Sequence, residues 1–299
     1  MTNRSPIRVT LCLLLASFTA LATFAEGVPE AKTGTLTTSD GNAMIYEVRG
    51  SGEPTLVFVH CWACNREDWR EQVDVFAQDH RVVTFDLPGH GESGAERESW
   101  TLDGLAADTV QLVEELNLKD FVFVGHSMGG PVALLAAARL AASKDHATRG
   151  VVCVDTLHDL EMKPPEEELK AWIDMFESDF EGSLAGMMAA TLPGEHNEAL
   201  RAAITEVALA SDRRAVLGLM KDFPSLDLVA EAEKASVPIR CINAALMQQN
   251  MPADALERNQ QHADYELTLM EGVGHFLQLE NPSEFNEAFR EVLAALTPR

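Results

Sequence analysis

Short apolar runs alternate with segments of helical periodicity along most of the chain. The runs are continuous in apolar character, which is typical of strands buried on both faces, and the helices between them indicate a parallel sheet. The first two strands form a hairpin that turns at Asp40-Gly41. The predicted strands are Leu36–Thr38, Ala43–Val48, Thr55–His60, Arg81–Asp86, Phe121–Val124, Gly150–Asp155, Pro238–Asn243 and Tyr265–Met270. The predicted helices outside the segment described next are Arg66–Phe76, Leu102–Leu116, Met128–Ala142 and Pro282–Leu296.

One long segment, residues 156–236, breaks this rhythm and contains no clear strand. It is rich in Glu, Ala, Leu and Met at helical spacing and is interrupted by prolines, which predicts three or four short helices. Helices inserted between two strands of a parallel sheet would lie over the carboxyl ends of the strands, where open α/β sheets bind ligands. We therefore expect a helical cap, residues 156–236, on a core formed by residues 26–155 and 237–299.

The first 25 residues have the pattern of a secretory signal peptide. Arg4 and Arg8 precede an apolar stretch, and small residues place the cleavage site after Ala22 or Ala25. An uncleaved N-terminal anchor is the alternative. No later stretch is long and apolar enough to cross a bilayer. The expectation is an exported protein, periplasmic or secreted, with no stable membrane insertion after cleavage.

The net charge of the chain is −24, and loss of the two signal-segment arginines would take it to −26. Such a surface repels phosphate, so a nucleic-acid partner is excluded and anionic membrane surfaces are disfavoured. Of the five cysteines, Cys61 and Cys64 lie three apart in a turn and either form a disulfide or remain free. No second Cys-x-x-Cys is present, so no metal is predicted. Cys153 and Cys241 lie in apolar runs and are expected to be buried small hydrophobic residues, with a bridge between them as the less favoured alternative.

The segment Gly125–Gly130 (Gly-His-Ser-Met-Gly-Gly) carries the clearest chemistry. It follows a predicted strand and precedes a predicted helix, so Ser127 lies at the apex of a tight turn with its hydroxyl exposed at the helix N-terminus. The flanking glycines let strand and helix approach closely. The backbone N–H of Met128 would be free to donate to an oxyanion. A serine hydroxyl attacks poorly unless a base lies within hydrogen-bond reach, so a partner is required.

From about Leu36 to Leu296 the chain resembles the α/β-hydrolase family, in its serine-nucleophile form with a helical cap. The resemblance is carried by four motifs, each placed after a predicted strand: His60–Trp62, Asp86–Ser93, Gly125–Gly130 and Gly272–Phe276. It implies a mostly parallel, eight-stranded sheet flanked by helices. It also implies no metal and no organic cofactor.

The resemblance assigns roles to individual residues. Ser127 would be the nucleophile, His275 the base that takes its proton, and the backbone N–H groups of Met128 and Trp62 the oxyanion hole. This sequence departs from the family at Cys61, where glycine is usual, and the extra side chain places the geometry of the Trp62 donor in question.

The acid that would orient His275 is less clear. Many relatives carry it just after the strand that follows the cap, but that place reads Ala244–Met247 and contains no carboxylate. Some relatives carry it at the end of the strand before the cap, where this chain has Asp155. We therefore predict Asp155, with Asp159, Asp254 or no functional acid as alternatives.

Together these features predict an α/β-hydrolase that acts on the ester bond of a small to medium carboxylic ester or lactone through an acyl-enzyme. Two alternatives stay open. The same three residues could catalyse C–C bond hydrolysis, perhydrolysis or a lyase step, or the fold could serve a ligand-binding protein with little turnover. The identity of the substrate and the oligomeric state do not follow from the sequence.

Overall fold

The computed structural model describes residues 29–296. The predicted signal peptide therefore lies outside the described residues. Eight strands form one sheet in the order β1-β2-β4-β3-β5-β6-β7-β8. β2 pairs antiparallel with β1 and β4, and all other pairs are parallel. The strands are β1 Lys32–Thr37, β2 Ala43–Arg49, β3 Thr55–Val59, β4 Val82–Phe85, β5 Asp120–His126, β6 Ala147–Val154, β7 Ile239–Ala244 and β8 Tyr265–Met270. This is the mostly parallel sheet that the sequence predicts.

The helices alternate with the strands and cover both faces of the sheet. The core helices are α1 Arg70–Phe76, α2 Leu102–Glu115, α3 Gly129–Leu140, α8 Leu228–Ala235, α9 Ala245–Gln248, α10 Ala255–His262, α11 Leu277–Glu280 and α12 Pro282–Leu296. The segment predicted as one helix from Arg66 to Phe76 begins as a 3-10 turn, Arg66–Trp69, before α1. The Asn65 side chain caps that turn, and Asp86 accepts the N–H of Arg66 at 2.8 Å, so local and tertiary bonds override α-helical periodicity there.

Successive residues of the central strands bury opposite faces of the sheet. In β3, Val57 and Val59 belong to the hydrophobic cluster beneath α2, α3 and α8, whereas Leu56 and Phe58 belong to the cluster beneath α1 and α12. All four side chains are fully buried. A strand enclosed on both faces needs apolar residues at every position, which explains the continuous apolar runs in the sequence.

Between β6 and β7 the chain forms four helices before α8. These are α4 Glu166–Ser178, α5 Phe180–Thr191, α6 Glu198–Ala210 and α7 Arg213–Asp222. Their apolar side chains, such as Phe176, Leu184 and Val216, pack against Cys61 after β3 and Phe276 after β8. These helices therefore lie over the carboxyl edge of the sheet. α8 differs from them, because Leu228 and Ala232 pack into the same core cluster as α3.

No helix in residues 29–296 is both long enough and apolar enough to cross a membrane.

Candidate active site

Ser127 occupies a strained turn between β5 and α3. Its φ is +52°, the left-handed region that costs a residue with a side chain energy and that recurs at functional sites. Its backbone N–H donates to Val154 O at 3.0 Å, and its carbonyl accepts from Gly130 N at 2.9 Å, so the turn is fixed on both sides. The residue is half-buried.

The two glycines flanking Ser127 are required by close backbone approach. A Cβ on Gly125 would lie 2.2 Å from Gly129 O, and a Cβ on Gly129 would lie 2.3 Å from Val59 O. Real Cβ atoms do not approach backbone oxygens so closely. β5, β3 and α3 can therefore meet at this point only without side chains.

Gly125→Ala is expected to lower the free energy of unfolding by about 1–3 kcal/mol, because the new methyl group overpacks this junction. Urea denaturation followed by circular dichroism measures the change. Gly186→Ala is the matched control, since Gly186 lies in α5 and an added Cβ meets nothing within 4 Å. The free energy of unfolding of that variant should equal that of wild type or exceed it by up to about 1 kcal/mol. Equal unfolding free energies for Gly125→Ala and wild type would contradict the close approach.

His275 lies in the loop after β8 and is held from three sides. Its Nδ1 is 2.5 Å from Asp155 Oδ2, its N–H donates to Thr191 O of α5 at 2.9 Å, and its carbonyl accepts from His126 Nε2 at 2.8 Å. The His126 and His275 rings are 4.9 Å apart between centroids. Because His126 directly precedes Ser127, these contacts bring the predicted base to the turn of the predicted nucleophile.

Asp155 is the carboxylate that the structure places against His275. It directly follows β6 with a φ of +46°, and only 2% of its surface is exposed. Its Oδ1 accepts the N–H of Ala244, the last residue of β7, at 2.9 Å, which leaves Oδ2 directed at the imidazole. The two alternative acids pair elsewhere: Asp159 Oδ2 is 2.5 Å and Asp254 Oδ1 3.8 Å from Arg258 Nη2.

Both predicted oxyanion donors have a free N–H. Within residues 29–296, neither Met128 N nor Trp62 N donates a hydrogen bond to another protein group. The Trp62 ring is fixed by its Nε1–H, which donates to Val216 O of α7 at 2.9 Å. The preceding N–H, of Cys61, is already satisfied by Asp68 Oδ2 at 3.1 Å. The loop after β3 therefore leaves the N–H of Trp62 available, as an oxyanion hole requires.

Ser127 and His275 are not hydrogen-bonded to each other within the described chain. Cys61, in the loop after β3, packs in the same side-chain cluster as Phe276, which directly follows His275. In free enzymes the bond between nucleophile and base is often long and tightens only when substrate binds. Asp155, His275 and the Ser127 turn therefore lie together at the carboxyl edge of the sheet, without a direct Ser127–His275 hydrogen bond among the described residues.

The electrostatics of the site couple His275 to Cys61. Burial lowers the pKa of His275, but the hydrogen bond with Asp155 and the contact with Cys61 outweigh burial and raise the pKa to about 10. Burial raises the pKa of the Cys61 thiol, yet the hydrogen bond from Cys64 and the neighbouring His126 and His275 rings bring the pKa down to about 5.

The four described cysteines are free and buried. Cys153 and Cys241 are paired in the register of β6 and β7, and no disulfide joins them. Both are buried, as the sequence analysis expects of small hydrophobic residues. Cys61, Cys64 and Asp68 bring three polar atoms within 4.8 Å of one another. Asp68 Oδ2 already accepts the N–H of Cys61 at 3.1 Å, which ties this carboxylate to the loop after β3. We assign no metal to this cluster.

Sequence reasoning missed two residues that support the site. Asp68 is a buried carboxylate that fixes the loop after β3, and its polar neighbours in the sequence give no sign of burial. His126 Nδ1 accepts from Gln278 Nε2 at 3.2 Å, so its Nε2 carries the proton that is donated to the His275 carbonyl. A histidine beside the nucleophile is the only sequence signal for this positioning role.

A mostly parallel sheet thus carries, at its carboxyl edge, a serine on a strained turn and a histidine–carboxylate pair. A family model described as the alpha/beta hydrolase family matches residues 56–288, and the chain belongs to this family. It is 37% identical over 110 residues to a non-heme haloperoxidase of Rhodococcus erythropolis, a match that covers 36% of this chain and 40% of that protein. The chain thus matches less than half the length of such curated relatives.

Solved structures share the fold over nearly the whole chain. An esterase from Exiguobacterium antarcticum superposes with a TM-score of 0.77 at 20% identity, covering 88% of this chain and 100% of the other. An enol-lactonase from Burkholderia xenovorans superposes with a TM-score of 0.73 at 21% identity, covering 87% and 100%. At these identities the likeness establishes the α/β-hydrolase fold.

Proposed function

We propose that this protein is a serine hydrolase that cleaves a small to medium carboxylic ester or lactone through an acyl-enzyme. The observation that supports this most directly is the 2.5 Å contact between His275 Nδ1 and Asp155 Oδ2, at the sheet edge where Ser127 lies on its strained turn. A base oriented by a buried carboxylate beside a half-buried serine is the arrangement that activates a hydroxyl nucleophile.

In the proposed reaction the Ser127 oxygen attacks the ester carbonyl carbon while His275 takes the hydroxyl proton. The N–H groups of Met128 and Trp62 stabilise the resulting oxyanion, and His275 returns the proton to the departing alcohol. Water, deprotonated by His275, then attacks the acyl-enzyme, and the carboxylic acid leaves as Ser127 regains its proton. Asp155 stabilises the imidazolium that forms in each half-reaction.

The surroundings of the site favour a neutral acyl group of modest size. The helices above the sheet edge contribute apolar side chains, among them Phe176, Leu184 and Met188, and these pack down to Phe276, which follows the base. The strongly acidic surface disfavours polyanionic substrates. The names of the structural neighbours, an esterase and an enol-lactonase, agree with an ester or lactone substrate.

Perhydrolysis is the second candidate, because the chain is 37% identical over 110 residues to a non-heme haloperoxidase. Hydrogen peroxide would then replace water in the attack on the acyl-enzyme and release a peracid. The ligand-binding alternative drew its main support from the absence of a carboxylate at Met247, after the strand that follows the cap. Asp155 instead contacts His275 from the end of β6, and this weakens that support. We further propose export from the cytoplasm, on the signal-peptide pattern of residues 1–25.

The test combines a substrate panel with a covalent probe. Wild-type protein is assayed on short and long p-nitrophenyl esters, on lactones, and on acetate with hydrogen peroxide. An uncharged fluorophosphonate is added separately, and the modified peptide is identified by mass spectrometry. Turnover of esters or lactones with labelling at Ser127 is expected. Peracid formation well above ester hydrolysis would favour perhydrolysis, and the absence of both turnover and labelling would refute both candidates.

A further inference from the structure

We propose that Glu280 is a positioning residue for the base, and that its contact with Asn197 makes the catalytic position of His275 depend on the helices above the sheet edge. The contact joins two segments. The base loop, Gly274–Phe276, carries His275, and the cap corner, Thr191–Asn197, connects α5 to α6. The effect on catalysis rests on the proposed function, whereas the contact itself can be tested without turnover.

The Glu280 carboxylate holds the base loop from the end of α11. Its Oε1 accepts the backbone N–H of Gly274 at 3.0 Å and that of Phe276 at 3.1 Å, and the Gly274 N–H also lies 2.9 Å from Oε2. These two N–H groups flank His275, and hydrogen bonds to a carboxylate are stronger than those between neutral groups. Glu280 therefore fixes the backbone on both sides of the base, whereas Asp155 orients its ring.

The second oxygen of the Glu280 carboxylate also faces the cap corner. Asn197 Nδ2 donates to Glu280 Oε2 at 2.7 Å and to Pro193 O at 2.9 Å, which uses both hydrogens of the amide. Only 4% of the Asn197 surface is exposed. Asn197 is the N-cap residue of α6, where an asparagine side chain commonly bonds to its own helix, but here it makes no such bond. Its amide serves the cap corner and Glu280 instead.

A backbone contact joins the same two segments. The N–H of His275 donates to Thr191 O at 2.9 Å. Gly274 lies so close to the cap corner that an added Cβ would be 2.5 Å from Thr191 O and 3.0 Å from Pro193 Cδ. The base loop is thus attached to the cap corner at two points, the Thr191 carbonyl and the Asn197 amide.

Displacement of the cap corner from the sheet edge would break both attachments. Glu280 would lose one of its three donors, and the loop that carries His275 would be free to shift. General-base catalysis requires the imidazole within hydrogen-bond reach of the serine hydroxyl, and a misplacement of about 1 Å can cost about 10²-fold in rate. We therefore expect kcat to depend on the contact between Asn197 and Glu280, although neither side chain takes part in the chemistry.

Glu280→Gln tests the contact with the smallest change in shape. An amide has a single oxygen, so in either orientation its NH₂ group faces a donor, either Asn197 Nδ2 or the N–H groups of the base loop. Asn197→Ala removes the partner and leaves both Glu280 oxygens to the base loop. Each variant should lower kcat by about tenfold with KM unchanged, counted per active site by fluorophosphonate titration.

Glu284→Gln is the matched control for these variants. Glu284 accepts from Asn281 Nδ2 at 2.6 Å, so it forms the same kind of pair on the exposed surface of the chain. This variant should keep the kcat of wild type. A wild-type kcat in both Glu280→Gln and Asn197→Ala as well would overturn the proposal.

The double variant shows whether the two side chains act through each other. Glu280→Gln and Asn197→Ala remove the same contact, so kcat of the combined variant should also lie about tenfold below wild type. Independent sites have multiplicative effects on kcat. A fall of about 10²-fold, the product of the two single effects, would therefore contradict a shared contact.

Amide hydrogen exchange tests the coupling without turnover. In full-length Asn197→Ala followed by NMR, the His275 amide should exchange several-fold faster than in wild type, relative to core amides such as that of Val57 in β3. Glu284→Gln should leave this ratio unchanged. An unchanged ratio in folded Asn197→Ala would refute the coupling of the cap corner to the base. Faster exchange without ester or lactone turnover by wild type would support the coupling and count against the proposed function alone.

Discussion

Ser127→Ala is expected to remove nearly all ester turnover, with kcat falling by on the order of 10⁵ or more. The hydroxyl is the only group at the apex of the β5–α3 turn that can form the acyl bond. Labelling by fluorophosphonate should disappear together with turnover.

The loss should be catalytic and not structural. Ser127 has a φ of +52°, and alanine already adopts a φ of +57° at position 63 of this chain, so the substitution fits the turn. The free energy of unfolding should therefore stay close to that of wild type. Ser143→Ala, in the turn after α3, is the matched serine control and should keep full activity. Substantial turnover by Ser127→Ala would mean that another nucleophile carries the reaction.

Much of the fold could be predicted because the core strands are apolar at every position. β3 and β5 are buried on both faces, so their runs stand out in the sequence whatever surrounds them. The edge strand β1 was predicted only from Leu36, yet it begins at Lys32. Its pairing with β2 depends on backbone hydrogen bonds, and side chains that are exposed at an edge carry no hydrophobic pattern.

The residues of the candidate site also differ in how far the sequence alone predicts them. Ser127 and His275 lie in glycine-rich turns. The local sequence predicts such turns, so both residues could be identified from it. The acid could be narrowed to Asp155 because no carboxylate follows β7, but its contact with His275 depends on how β6 and β7 are paired. The packing of Cys61 with Phe276, which directly follows His275, joins two loops more than two hundred residues apart, and no local pattern encodes it.

Asp155→Asn is expected to lower the plateau kcat by about 10⁴. The asparagine Oδ1 can still accept the N–H of Ala244, so the end of β6 should keep its structure. An amide NH₂ would then face His275 Nδ1 and donate to it. This forces the imidazole into the tautomer that carries its proton on Nε2, where it cannot accept a proton from Ser127.

The pH profile gives this variant a second signature. Asp155 raises the pKa of His275, so its neutralisation should let that pKa fall. Because the base must be unprotonated to act, the acid limb of kcat should move to lower pH even as the plateau drops. A variant that was merely misfolded would lose activity at every pH without moving the limb.

The two alternative acids provide matched comparisons of the same chemical change. Asp159→Asn alters a carboxylate paired with Arg258, and Asp254→Asn alters an exposed carboxylate. In the described chain, neither residue forms a hydrogen bond or an ion pair with His275. Both should keep kcat within a few-fold of wild type and the acid limb in place. If Asp155→Asn behaved like these two, the carboxylate 2.5 Å from the imidazole would have no part in catalysis, and the base would owe its orientation to the His126 and Thr191 contacts alone.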